Sequence, residues 1–266
     1  MQDKEIEELL FLPLGGCNEI GMNLNAYAYG NPPNRKWILV DMGVSFGDER
    51  TPGIDVICPD PAFLEDHVDD IEAIILTHAH EDHIGAVGHL WDRFKKPLYA
   101  TPFTAELIRG KLDDANVGDA ANLITVPLGA KIEVGPFRLE YVTLTHSIPE
   151  PNGLIIETDS GTILHTGDWK IDPDPLIGGS FDSERLEKLG NDGVLAMVCD
   201  STNVFEEGEA GSELSCKVEL KKLISEQTGR VAVTAFASNV ARVQSIIEAA
   251  TECERHVCLV GRSMHR

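Results

Sequence analysis

"LTHAHEDHIGAV", residues 76–87, places three histidines and an aspartate within the six positions His78 to His83. The apolar run Ile71 to Thr77 before it has the mark of a strand, and a helical pattern opens at Ile84. The four side chains therefore sit on a strand-to-helix loop. His78 and His80, two apart on an extended backbone, can both reach one cation, and Asp82 and His83 at the helix start can point toward a second. Imidazole and carboxylate together suit Zn, Mn or Fe rather than Ca. A lone histidine here would read as a satisfied core residue, but four such groups desolvated together are tolerable only around positive charge.

Two cations need more than four ligands, and matching positions follow along the chain. His146 ends the strand-like run 137–145 in "LTHSIPE", and Asp168 follows the run 162–166 in "LHTGDWK". Asp41 closes "WILVDMG" in the same way and is placed to orient a ligand histidine through a hydrogen bond. Each of these residues comes directly after an apolar strand, so all can meet at one rim of the sheets. Further strands are expected at 9–14, 23–29, 37–41 and 123–126, and helices at 84–94 and 104–115. Hairpins are expected over 131–144 and 153–165, turning at Gly135-Pro136 and Asp159-Ser160-Gly161. Strand pairs with helices outside them predict an α/β fold, an αβ/βα sandwich of two sheets.

After Asp200 the pattern changes to helix 215–227, strand 230–236, helix 240–250 and strand 256–260, a βαβ alternation. A first domain over 1–204 and the beginning of a second over 205–266 are expected. The chain stops just after a buried-looking strand, which reads as a fragment of a longer protein. The basic turn Arg262-Ser263 could offer N–H groups and a cation to a phosphate, or be an ordinary strand-to-helix turn. "GGCNEIG" reads better as a tight turn than as a phosphate loop.

Bulk properties narrow the function classes. The 266 residues are 42% hydrophobic and 25% charged, a globular composition. The acidic start has too short an apolar run for a signal peptide, and no stretch approaches the roughly 20 apolar residues of a membrane helix. Cys17, Cys58, Cys199, Cys216, Cys253 and Cys258 lack CxxC spacing and read as reduced thiols of a cytoplasmic protein. The net charge of −22 argues against broad electrostatic capture of nucleic acid, although bound cations reverse the local field in a site. The basic clusters at 93–96 and 217–222 read as solvated helix faces.

The segments holding Asp41, His78-x-His80-x-Asp82-His83, His146, Asp168 and Asp200 resemble the ordered motifs of the metallo-β-lactamase superfamily. "VCDSTN" is similar to the first motif of its nucleic-acid-processing β-CASP branch. With "LGGCNEIGMNLNAY", "THSIPE", "TGDWKID", "FASNVARVQ" and "LVGRSM", the likeness runs over essentially the whole chain and narrows to the bacterial ribonuclease J family. The resemblance implies two divalent metal ions, Zn with Mn as the alternative. His78, His80, His146 and Asp168 would hold one, and Asp82, His83 and the shared Asp168 the other. The family completes the second site with a histidine beyond residue 266, which Asp200 would steady, so the second ion is expected to bind weakly or not at all in this chain. Glu150-Pro151 departs from the aspartate that many relatives carry in the loop after His146. His67, His89, His165, His256 and His265 match no ligand position and are left structural.

The activity implied is hydrolysis of RNA phosphodiesters by a metal-bridging hydroxide, 5′-to-3′ and internally, giving 5′-phosphate products. Asp82 is the group best placed to hold the proton of the nucleophilic water. The resemblance also implies a preference for 5′-monophosphate ends, a dimer or tetramer in the full-length protein, and no membrane association. Two rivals remain: a thioester or lactam hydrolase on the same scaffold, which has no need of the segment after Asp200, and an inactive RNA-processing scaffold, which would have lost ligands. A flavodiiron-type redox enzyme usually wants a glutamate at the position of His80.

Overall fold

A computed structural model describes residues 7–265. Strands β1 (Leu9–Gly15), β2 (Leu24–Tyr29) and β3 (Lys36–Val40) run antiparallel in succession. A short ribbon, β4 (Ser45–Phe46) and β5 (Val56–Ile57), follows, and then helix α1 (Ala62–Glu65). β6 (Ile71–Ile75) pairs parallel to β3. Helices α2 (Glu81–Ile84) and α3 (Val87–Phe94) lead to β7 (Leu98–Ala100), and α4 (Pro102–Asp114) leads to β8 (Leu123–Thr125). The first sheet thus has the order β1-β2-β3-β6-β7-β8.

The second sheet is built from two hairpins: β9 (Lys131–Val134) with β10 (Phe137–Thr143), and β11 (Asn152–Thr158) with β12 (Gly161–His165). After α5 (Ser183–Asp192), β13 (Ala196–Val198) adds in parallel to β12, for the order β13-β12-β11-β10-β9.

The layering follows from side-chain alternation. Tyr27 and Tyr29 of β2, with Ile38, Val40, Ala73 and Ile75, meet Phe137, Leu139, Tyr141, Leu154, Ile156 and Ile163 in a core between the sheets. The opposite face of β2, Ala26 and Ala28, joins the cluster that α3 and α4 cover with Leu90, Trp91, Phe94, Ala105, Ile108 and Leu112. On the far side of the second sheet, Ile155 and Val142 pack against Leu189 of α5. Every residue of β2 is buried because both faces of its sheet are covered. The expected αβ/βα sandwich is therefore the observed architecture.

Three departures are local. The helix expected over 84–94 is interrupted between Ile84 and Val87, because Ala86 N–H donates to Met42 O at 2.9 Å instead of to Asp82 O, which accepts from Asn23 N–H. The three-residue strands β7 and β13 are too short for a readable period, and helix α5, whose apolar face is only Leu186 and Leu189, is not among the expected elements. Beyond Asp200, helices α6 (Glu213–Ser225) and α7 (Val240–Glu252) form as expected, but the strands expected at 230–236 and 256–260 do not. Parallel strands depend on burial of both faces, whereas these segments line an apolar cavity of about 870 Å³ and leave Val260 82% exposed. Arg262–His265 is a 3-10 turn. Among the described residues no helix is long and apolar enough to cross a membrane.

Candidate metal centre

The site forms where β3, β6, β10 and β12 end together at one rim of the sandwich. β3 finishes at Val40, and Asp41 turns into the left-handed region at φ 64°, costly for a residue with a side chain and so a mark of functional constraint. The next residues lie flat on the histidine loop. Met42 N–H donates to His83 O at 2.7 Å, Val44 N–H to Glu81 O at 3.0 Å, and Asn23 N–H to Asp82 O at 3.0 Å. A Cβ on Gly43 would fall 1.6 Å from the Asp82 carbonyl oxygen, so only glycine permits this approach. The loop that carries the candidate ligands is thereby held by backbone from two other strand ends.

Hydrogen bonding fixes which ring nitrogen each histidine turns inward. Thr77 Oγ1 donates to the buried Asp41 carboxylate at 2.9 Å, so it accepts from His78 Nδ1 at 3.1 Å. That leaves the His78 Nε2 lone pair facing the centre. His80 Nε2 lies 3.2 Å from the Ser238 carbonyl, which can only accept, so the proton is on Nε2 and the lone pair on Nδ1. His83 Nδ1 donates to Asp41 Oδ2 at 2.7 Å, which turns Nε2 toward Asp168 Oδ1 at 3.1 Å and Asp82 Oδ2 at 3.5 Å. Asp41 also accepts from Thr77 N–H at 2.8 Å. One carboxylate therefore orients two of the histidines.

The inward atoms form two groups. His78 Nε2 and His146 Nε2 lie 3.2 and 3.1 Å from His80 Nδ1, and Asp168 Oδ2 is 3.6 Å from His146 Nε2. Within each of the sets His78, His80, His146, Asp168 and Asp82, His83, Asp168, the ligand atoms lie within 4.8 Å of one another. Lone pairs and carboxylate oxygens aimed at a common point repel, and a divalent cation at each point relieves that repulsion. The donor set fits the group.

Electrostatics point the same way. Burial, reinforced by the neighbouring histidines, pushes the first set toward its neutral, ligating form: His78 well below its usual range and His146 down to about 4. His80 also falls, mainly by burial. Burial opposes ionisation of Asp168, but the His83 hydrogen bond and the surrounding imidazoles prevail and hold its carboxyl at about 2. Asp82 is lowered by the same balance. His83 behaves differently: burial disfavours its charge, yet Asp41, Asp168 and Asp82 raise it well above its usual range. Between His83 Nε2 and two carboxylates, positive charge is required, whether a proton or a metal ion.

Asp200 stands apart from this cluster. Its Oδ1 accepts from Thr202 N–H at 2.8 Å and from Thr202 Oγ1 at 2.7 Å, closing the turn after β13, and its charge reaches His146. His165 lies between the sheets, its Nδ1 paired with Tyr27 OH at 2.8 Å, and burial takes it down to about 4. Glu150, in the loop after His146, reaches α4, where its Oε2 accepts from Phe103 N–H at 2.8 Å. Thr77, Asn23 and Ser238 also shape the site and are not among the residues expected from sequence. A hydroxyl beside a histidine ligand was a weak signal for Thr77, whereas Asn23 and Ser238 act through contacts across 59 and 158 positions that no local pattern encodes.

The chain matches the family model of the metallo-beta-lactamase superfamily over residues 21–231 and that of the ribonuclease J beta-CASP domain over 228–266. Ribonuclease J of Sinorhizobium meliloti is 48% identical over 260 residues, covering 98% of this chain and 46% of that protein. Ribonuclease J of Thermus thermophilus is 39% identical, covering 95% of this chain and 45% of its own length. The chain thus spans under half the length of these relatives. A crystal structure of a protein of unknown function from Enterococcus faecalis shares the fold, with TM-score 0.63, 20% identity, and coverage of 91% of this chain and 63% of that one.

Proposed function

Because the chain belongs to the metallo-β-lactamase superfamily and its relatives are ribonucleases J, we propose that it carries the metal centre of a ribonuclease that hydrolyses RNA phosphodiesters. The observation that carries this reading is the pair of donor sets joined through Asp168. His78, His80, His146 and Asp168 would hold one divalent ion, Zn or alternatively Mn, and Asp82, His83 and Asp168 a second. When bound, such a pair supplies Lewis acidity and a water that is nucleophilic near neutral pH. The protein's own part is orientation and proton handling. Asp41 and Thr77 hold His78 and His83 in register, and the ionised Asp82 carboxylate takes up the proton of the attacking water.

Attack by water needs no 2′-hydroxyl, so the products carry 5′-phosphate and 3′-hydroxyl ends. We assign both 5′-to-3′ and internal cleavage, a preference for 5′-monophosphate ends, and a dimer or tetramer to the full-length protein. Residues 1–204 form the metallo-β-lactamase part in this reading and 205–266 open the β-CASP part. A thioester or lactam hydrolase has no use for the segment matched at 228–266, and an inactive scaffold would have lost ligands, whereas each expected position up to residue 266 carries a ligand-type side chain.

The test is turnover of 5′-monophosphorylated RNA beside a generic thioester by the protein in its full native reading frame, with metal analysis of the same sample. RNA cleavage with bound Zn or Mn is expected, and intact RNA would sink the reading. His80→Ala or Asp168→Asn should abolish cleavage while leaving the circular dichroism spectrum unchanged. Activity retained in either variant would refute the ligand assignment.

A further inference from the structure

His80 is held from outside the sandwich. Its Nε2–H donates to the main-chain carbonyl of Ser238 at 3.2 Å, with Ser147 Oγ more distant at 3.4 Å. Ser238 precedes Asn239, the N-cap of α7, and at the second residue of that helix Ala241 N–H donates to Ser147 O at 3.1 Å, in the loop that carries His146. The start of α7 thus touches the two loops that supply His80 and His146.

Its position is set by a buried polar clamp. Asn239 Oδ1 caps α7 by accepting from Arg242 N–H at 2.8 Å. Arg242 Nε donates to Glu213 Oε1 at 2.6 Å and Nη2 to Oε2 at 3.2 Å, with Ser245 Oγ at 3.3 Å from Oε1. Glu213 is 5% exposed and opens α6, and its N–H donates to Asp172 Oδ2 at 3.0 Å. Asp172 is tied by Lys170 at 3.0 Å, and Lys170 N–H donates to Thr145 O at 2.9 Å, next to His146. The contacts close a ring that runs from the His146 loop through Asp172, Glu213 and Arg242 to Ser238, and back to His80.

We propose that the Glu213–Arg242 clamp is a positioning device for the metal centre: it holds the Ser238 carbonyl on His80 Nε2, and so selects the tautomer that offers Nδ1 to the ion. The inference rests on the metal-centre reading above. The affinity of the His78, His80, His146, Asp168 site then depends on helices α6 and α7, which supply no ligand to it. Without Arg242 the buried Glu213 carboxylate loses its only cationic partner among the described residues and keeps just the Ser245 hydroxyl, an unfavourable state that α7 relieves by shifting. A ligand histidine that loses its outer hydrogen-bond partner typically binds metal about 10- to 100-fold more weakly.

The experiment titrates Co²⁺ into the metal-depleted chain and follows visible d–d absorption, which reports ligand geometry independently of turnover. Arg242→Met should bind at least about tenfold more weakly than wild type, with an altered spectrum, and Arg242→Lys should recover part of the loss. Lys217→Met breaks the Lys217–Glu248 pair between the same two helices away from the site, and should leave affinity unchanged. Wild-type affinity and spectrum in a folded Arg242→Met chain would overturn the proposal. No Co²⁺ binding by wild type would overturn the metal reading itself, and this inference with it. Should Arg242→Met not fold, the imidazole Nε2–H signal of His80 in the Zn-loaded wild type decides: slow solvent exchange supports the Ser238 bond, and fast exchange removes it.

Discussion

Asp41 organises the site without belonging to either donor set. Its two oxygens accept from Thr77 N–H, Thr77 Oγ1 and His83 Nδ1, and through Thr77 they also set His78. Asparagine keeps the shape but presents an N–H₂ group where donors converge, so Asp41→Asn should weaken metal binding about 10- to 100-fold in a competitive chelator titration. Unchanged affinity would mean that the tautomers are set elsewhere. His83 makes a second measurable statement. Its raised pKa keeps it protonated at neutral pH without metal, and ligation requires the neutral ring. Calorimetry of the full-length protein at pH 7 in buffers of different ionisation enthalpy should therefore show release of about one proton as the Asp82, His83, Asp168 site fills. Binding heats independent of buffer would contradict the His83 assignment.

Among the elements, the loops between strands carry the site and the helices hold the loops. Helix α4 begins with Pro102 at its first position, and Thr101 makes no side-chain cap. The carboxylate of Glu150 supplies the missing partner from another loop, where negative charge also suits a helix N-terminus. Glu150→Ala should lower stability by about 1 kcal/mol, the usual cost of a lost N-cap, read as a fall in the thermal midpoint. An unshifted midpoint would show that water replaces the carboxylate without loss. The same contact ties the His146 loop to the first sheet's helical layer, so Glu150 is spent on the helix rather than on the donor sets.

Across the whole molecule, closing two sheets over buried imidazoles makes stability depend on pH. His146 and His165 have folded values of about 4 against an ordinary 6.5. Between those values the unfolded chain binds more protons than the folded one, so stability falls as pH drops from about 6.5 toward 4, by up to about 3 kcal/mol per group. His83 works in the opposite sense: its raised value gives stability that is fully present below 6.5 and is lost as pH rises through the folded value. Asp168 adds a loss at still lower pH, as it protonates from 3.8 toward about 2. Urea denaturation of the metal-depleted chain at pH 7, 5.5 and 4.5 should show the net decline, and His165→Asn should make it shallower. A flat profile would mean that both rings accept protons without leaving the core.

The gathering of the candidate His and Asp residues at one rim, the two hairpins and the sandwich are legible because each depends on short-range pattern. An apolar run followed by His or Asp marks a strand end at the rim, and period-two alternation marks the faces. The strands expected at 230–236 and 256–260 misled for the converse reason: apolar runs state a propensity, and a ladder exists only where a partner strand covers them. What the order of residues could not express is how the rim closes. Thr77 relaying Asp41 to His78, Asn23 bracing Asp82, and Ser238 turning His80 join positions far apart in the chain, and it is packing, not local preference, that decides which nitrogen faces the centre.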